Sequence, residues 1–453
     1  MITPRITRTI HDILIGGAGV SGTGAGYSFT FSNARKVLLL EKYSDVALVN
    51  SNADYNAETS HDGSTETNYS LAHALEVLRS AVALRRYLVG KGINTDLYQK
   101  RLRMVLGIGG EEIHRLLKRF DEFKPYYPDI ELADASMLAE MEPMVIKGRN
   151  PFQEVLAIYS REGFIVNYQE LAREMFKDTV KLNPDFNYSF NTPIQKIEPR
   201  DDHYVVHTPI GRFFSRVVLL EAGAYSLFFA RELGYGMNYA ILPVAGSFYS
   251  AGNLLKNKIY RVQEEDMPFA EIHADPNIKD MSETRFGPTT KPLPLMERHH
   301  YNTFRDFMSL PLASSAHGIA TLVKIVNDKH LWGYAAKNFI YDMPIIGPAA
   351  FLEKARQIIP SLRYSDLKRL PGAGGIRPQI VNLKTQKLEM GDKTIVGKNI
   401  IFNTTPSPGA SVCLGNGHRD AVRTIEFLGP GFHFDEERFQ GELGPIQTIP
   451  AVQ

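Results

Sequence analysis

Three glycines, Gly17, Gly19 and Gly22, stand in the spacing G-x-G-x-x-G within Gly16-Gly17-Ala18-Gly19-Val20-Ser21-Gly22. Each has its own use. Gly17 permits a sharp turn, Gly19 lets a backbone approach a pyrophosphate, and Gly22 lets a helix pack closely on a sheet. Val20 and Ser21 open that helix, whose free N–H groups and positive dipole end suit phosphate. Glu41 lies 19 residues past Gly22 and is followed by Lys42. A carboxylate at that place accepts hydrogen bonds from the ribose hydroxyls of an adenosine and repels a 2′-phosphate. The spacing therefore predicts a dinucleotide site and argues against NADP. Late in the chain, Ser407, Gly409 and Ala410 stand in a turn ahead of a second helix. Their backbone N–H groups would reach an isoalloxazine ring, a feature an NAD enzyme has no need of. The expected cofactor is FAD. Gly107-Ile108-Gly109-Gly110 reads as a plain turn, so no second complete fingerprint serves a nicotinamide cofactor.

These residues need elements to hold them. Residues 12 to 41 read as strand, glycine turn, helix and strand, with Ile13-Leu14-Ile15 and Val37-Leu38-Leu39-Leu40 as buried parallel strands. Asn50 to Tyr69 is polar and reads as a long functional loop. Apolar residues at helical spacing predict helices over Leu71–Lys91, Ile113–Tyr126 and Tyr168–Thr179. Asn187–Ile197, His203–His207 and the run from Val217 read as strands. Short strands at Gly246–Tyr249 and Phe269–His273 suggest an antiparallel sheet. Residues 293 to 370 read as mostly helical, Ile400–Asn403 as a last strand followed by a helix, and the tail after Pro430 as irregular. The expected fold class is α/β plus α+β: a Rossmann-like FAD-binding domain from segments 11–90, 150–240 and 365–430, interleaved with a substrate domain from 91–149 and 241–364. Residues 431–453 would form the tail.

Bulk properties exclude several classes. The chain has 453 residues, 43% hydrophobic and 22% charged, which is ordinary globular composition for about two domains. A net charge of +1 supplies no global field toward nucleic acid. The single cysteine, Cys413, rules out an internal disulfide and a thiolate metal cluster, and fits a reducing compartment such as the cytoplasm. The adjacent pair His299-His300 points in two directions and has no evident third ligand, so no metal is expected. No window reaches the roughly 18 apolar residues that span a bilayer. Any membrane contact would be peripheral.

Six segments in unbroken order resemble the FAD-dependent malate:quinone oxidoreductases, in the form found in some epsilon-type bacteria. They are His61-Asp62-Gly63-Ser64-Thr65-Glu66-Thr67-Asn68-Tyr69, Leu242–Tyr249, Thr284-Arg285-Phe286-Gly287-Pro288-Thr289, Pro344-Ile345-Ile346-Gly347, Gly375-Ile376-Arg377-Pro378-Gln379 and Thr405–Ala410. The wider kin are amino-acid-oxidase-like flavoproteins, including L-2-hydroxyglutarate dehydrogenases and glycine oxidases. The resemblance implies oxidation of (S)-malate, a 2-hydroxy dicarboxylate, with electrons passed to a quinone at the cytoplasmic face of a membrane. Where the family tends to carry small hydroxylated residues and a basic residue before His61, this chain has Asp54 and Ala57.

That chemistry assigns candidates. An arginine fork best grips a carboxylate; Arg377 is the first anchor and Arg285 the second. A histidine suits removal of the hydroxyl proton. His61, in the polar loop, and His273, with Asp275 two residues on to orient it, both stand as candidates for the base. The resemblance adds Ser247 and Tyr249 as pocket-lining residues.

Overall fold

The computed structural model describes residues 9–263, 271–327, 329–389, 391–406 and 408–444. Strand β1 (Ile10–Gly16), helix α1 (Val20–Phe29) and strand β2 (Val37–Leu40) form the opening unit. Ile13, Leu14 and Ile15 are wholly buried, as a parallel strand covered on both faces requires. β1 pairs in parallel with β2 and with β3 (Gly211–Leu220), and β3 pairs in parallel with a late strand, Ile400–Thr404. Residues from both ends of the chain thus meet in one sheet. The helix after the late strand, Cys413–Leu428, crosses α1 closely because both carry glycine at the contact. A Cβ at Gly24 would lie 3.1 Å from the Cys413 carbonyl oxygen, and one at Gly417 2.7 Å from Ser28 Oγ.

Two further sheets build the other half. Strand β4 (Tyr239–Ala245) pairs antiparallel with β9 (Ile376–Asn382), which sets Val244 opposite Arg377. An eight-stranded sheet contains β5 (Phe248–Gly252), β6 (Lys258–Arg261), β7 (His273–Asn277) and β8 (Asp280–Gly287), continued through Arg103–Ile108, Val155–Ser160 and Ile130–Ala133. Its register places Asp275 opposite Arg285 and Tyr260 opposite His273. A core of Met104, Leu106, Tyr159, Phe286, Phe351 and their neighbours lies against this sheet.

Several elements differ from the sequence reading. Gly109 is not a plain turn; it joins the strand Arg103–Ile108 to a helix, Gly110–Phe123, with φ of 78° at the junction. The stretch Asn187–Ile197 is no single strand, since only Asn187–Ser189 and Lys196–Pro199 are extended. The strand expected at Phe269–His273 instead begins at His273, and Phe269 and Ala270 lie outside the described residues. The tail is not wholly irregular. Glu436–Leu443 is helical, with the Asp435 side chain accepting from Arg438 N at 3.0 Å and Phe439 and Leu443 buried one turn apart. Two apolar residues in eight give too weak a periodicity to announce it.

Candidate active site

A cavity of about 450 Å³ is lined by the glycine turn, Glu41, Arg377 and, late in the chain, Thr405, Pro406 and Pro408 to Ser411. The turn is built by steric necessity. Gly17 has φ of 106°, and a Cβ there would sit 2.6 Å from the Glu221 carbonyl oxygen; a Cβ at Gly22 would sit 1.9 Å from the Gly17 carbonyl oxygen. Gly19 is open apart from Ser51 Oγ, 3.3 Å from where its Cβ would be. The Glu41 carboxylate accepts from Ala18 N at 2.7 Å and Tyr43 N at 2.9 Å. Burial raises its pKa against the pull of those two N–H groups. Lys42 pairs with Glu297 at 2.7 Å, and its ammonium lies 4.6 Å from the Tyr225 ring centre. Val20 and Ser21 line the cavity, and Val20 N donates to Ser51 Oγ at 3.0 Å. Gly409 and Ala410 line the cavity as well, and Thr405 Oγ1 lies 3.5 Å from Ser21 Oγ; Ser407 lies outside the described residues. A bare glycine turn at a helix start, a carboxylate just past the end of β2 and backbone from the late segment fit an extended FAD.

The polar loop is pinned from several directions. Asn50 Oδ1 accepts from Ile376 N at 3.1 Å, and Gly374 N donates to the Asp54 carbonyl at 2.8 Å. The buried Asp62 carboxylate takes Arg103, Arg85 and the Ser64 hydroxyl. Burial alone would push Asp62 up, but Arg103 and then Arg85 hold it well below the usual carboxylate range. The loop therefore presents His61 to the cavity on a braced frame. His61 N donates to Ser411 Oγ at 2.9 Å, and His61 Nδ1 lies 2.6 Å from Glu66 Oε1. Nε2 is left as the ring nitrogen able to take a proton.

Arg377 lines the same cavity. Among the described residues no carboxylate pairs with it; its electrostatic neighbours are the hydroxyls of Tyr334, Tyr260 and Tyr69, and burial lowers its pKa. A half-buried guanidinium in that setting can accept an anionic partner.

The other candidates sit elsewhere. Arg285 does not line the cavity: it pairs with the buried Glu58 at 3.0 Å and donates to the carbonyls of Ala53 and Asn56. His273 is buried outside the lining, with Nδ1 2.8 Å from Asp275, whose carboxylate also pairs with Lys258 at 3.0 Å. Burial, then Lys258, push His273 down to about 3. Ser247 Oγ accepts from Arg298 at 2.7 Å, and Tyr249 turns its hydroxyl to the Tyr341 carbonyl and stacks on Phe351 at 4.2 Å. Neither lines the cavity, whereas Phe248 between them does. The sequence reading missed Ser51, Asn50 and Glu66. Only Glu66 left a signal, as a carboxylate five residues past a histidine in one loop.

The fold and the cavity define a class, and the comparisons agree with it: residues 12–418 match the family model described as FAD dependent oxidoreductase. Among solved structures the chain resembles the L-alpha-glycerophosphate oxidase of Mycoplasma pneumoniae with FAD bound, at TM-score 0.64 and 16% identity over 92% of this chain and 95% of that one. Glycine oxidase from Geobacillus kaustophilus gives the same TM-score and identity over 98% and 99%. At that identity the likeness is one of fold. The malate:quinone oxidoreductase of Helicobacter pylori (strain ATCC 700392 / 26695) is 36% identical over 444 residues, 96% of this chain and 98% of that protein. The chain belongs to the FAD-dependent oxidoreductases and, within them, to the family of the malate:quinone oxidoreductases.

Proposed function

We propose that the protein oxidises (S)-malate to oxaloacetate and passes the electrons to a membrane quinone. The supporting observation is one cavity that joins the dinucleotide turn, an arginine with no carboxylate partner among the described residues and a histidine backed by Glu66. FAD, when bound, supplies the redox chemistry by accepting the hydride from the carbinol carbon. Arg377 grips a substrate carboxylate through its planar fork, which orients that carbon. His61 takes the hydroxyl proton at Nε2 while Glu66 holds Nδ1 and fixes the orientation of the ring. Arg285 spends its guanidinium on Glu58, so malate as the substrate rests on the relatives, while the cavity supports a carboxylate and a hydroxyl. No helix among the described residues is long and apolar enough to cross a membrane, so contact with the cytoplasmic face would be peripheral.

Anaerobic addition of (S)-malate to the purified flavoprotein should bleach the visible flavin band, faster than lactate or L-2-hydroxyglutarate does. A flavin that malate leaves oxidised while another 2-hydroxy acid bleaches it would overturn the choice of substrate.

A further inference from the structure

The apolar surface is not evenly spread. Among the described residues, 22 large apolar side chains are exposed, and nine of them fall between Tyr301 and Ile346. This stretch is a run of helices, Phe304–Ser309, Pro311–Ser314, Ala316–Val326 and Lys329–Tyr341. Its inner side already supplies the core through Phe307, Leu310 and Leu312. Its outer side is apolar as well: Ile319 and Val323 stand one turn apart, Phe339 is 58% exposed, and Ile345 at the following turn is 84% exposed beside Ile346. Exposed apolar groups gathered on one stretch mark a contact surface.

Charge says what it contacts. Residues 301–350 hold three acids. Asp342 is buried against Lys291 at 2.5 Å, Asp306 accepts from the Tyr225 hydroxyl at 2.5 Å, and Asp328 lies outside the described residues. Arg305, Lys324 and Lys337 are exposed. A helical stretch that exposes both apolar groups and cations suits an anionic bilayer, which takes the first into its acyl boundary and the second onto its headgroups. The same stretch reaches the cavity through Asp306, and Met296 and Glu297 just ahead of it line the cavity too.

We infer that the helical face between Tyr301 and Ile346 is where the protein lies against an anionic lipid bilayer, an inference that rests on the quinone reading for its purpose. The test is flotation of the full-length holoprotein with vesicles of phosphatidylcholine, with and without phosphatidylglycerol. Variants would carry Ile345→Glu with Ile346→Glu, or Lys324→Glu with Lys337→Glu. Phe152→Glu, at a site 93% exposed elsewhere, is the control. The wild type should float with anionic vesicles and less so in high salt. The isoleucine pair should weaken flotation about tenfold or more, the lysine pair should abolish the preference for phosphatidylglycerol, and the control should change nothing. Dye reduction driven by malate should be unaffected in all variants, while turnover with a lipid-dissolved quinone falls with flotation. An isoleucine pair that floats like the wild type would overturn the inference. So would a wild-type dimer that this pair splits, because a second copy would then cover the face. Failure of malate to reduce the dye in the wild type would strike the functional reading and leave the flotation result intact.

Discussion

His61 carries its orienting carboxylate within its own loop, and that arrangement makes its substitution informative. His61→Gln should keep the flavin spectrum and lower kcat by about 10²- to 10⁴-fold, the usual range for a lost general base. If His273→Gln produced that loss instead, the proton acceptor would belong to the sheet. Arg377→Lys replaces a planar fork with a point charge and should raise KM for malate about a hundredfold, read in steady-state kinetics. Arg285 differs, because its guanidinium is occupied by Glu58. Arg285→Met should cost about 3 kcal/mol of stability, the penalty for a buried charge left unpaired, and Arg285→Met with Glu58→Gln should recover most of it in thermal melts. Burial already pushes the Glu58 carboxyl up to about 7, against the pull of Arg285. The sequence could propose both arginines as anchors, since both types suit a carboxylate. The pairing of Arg285 was not legible because Glu58 lies far upstream, in a loop with no periodicity to place it.

At the scale of elements, local signals read well and distant pairings did not. The β1–α1–β2 unit and its carboxylate followed from glycine spacing and two apolar runs, because short-range sterics decide such a turn. The late wall at Thr405–Ala410 was legible as a turn ahead of a helix. What hid was the support beneath the glycine turn. Glu221, one residue past the end of β3, and Asp420, on the closing helix, both accept from the Asn403 side-chain nitrogen at 2.6 Å. Burial, then Asp420, push Glu221 up to about 8. A folded pKa raised above 4.5 stabilises fully below that value and is lost as pH rises toward 8. Glu221→Gln should therefore flatten the fall of Tm between about pH 4.5 and 8. Gly22→Ala acts on the turn itself. Its methyl would lie 1.9 Å from the Gly17 carbonyl oxygen, so FAD content after purification should fall sharply.

For the whole molecule, buried ionisable groups set the pH limits. His273, held down to about 3, favours the neutral ring in the folded state. Its contribution is present above the unfolded value near 6.5 and is lost as pH falls toward 3, in the direction opposite to Glu221. Thermal melts should show Tm falling on acidification below about 6.5, with a shallower fall in His273→Gln. The placement of the late strand has a consequence in time. The cradle's glycines emerge early in synthesis, but the late lining residues Thr405, Pro406 and Pro408 to Ser411 and the strand beside β3 emerge only near the end. A nascent chain can complete the first turn and still have nothing to hold the cofactor against. Flavin loading must then follow translation rather than accompany it, and a chain stopped after Gly397 should carry an intact fingerprint and leave the ribosome colourless.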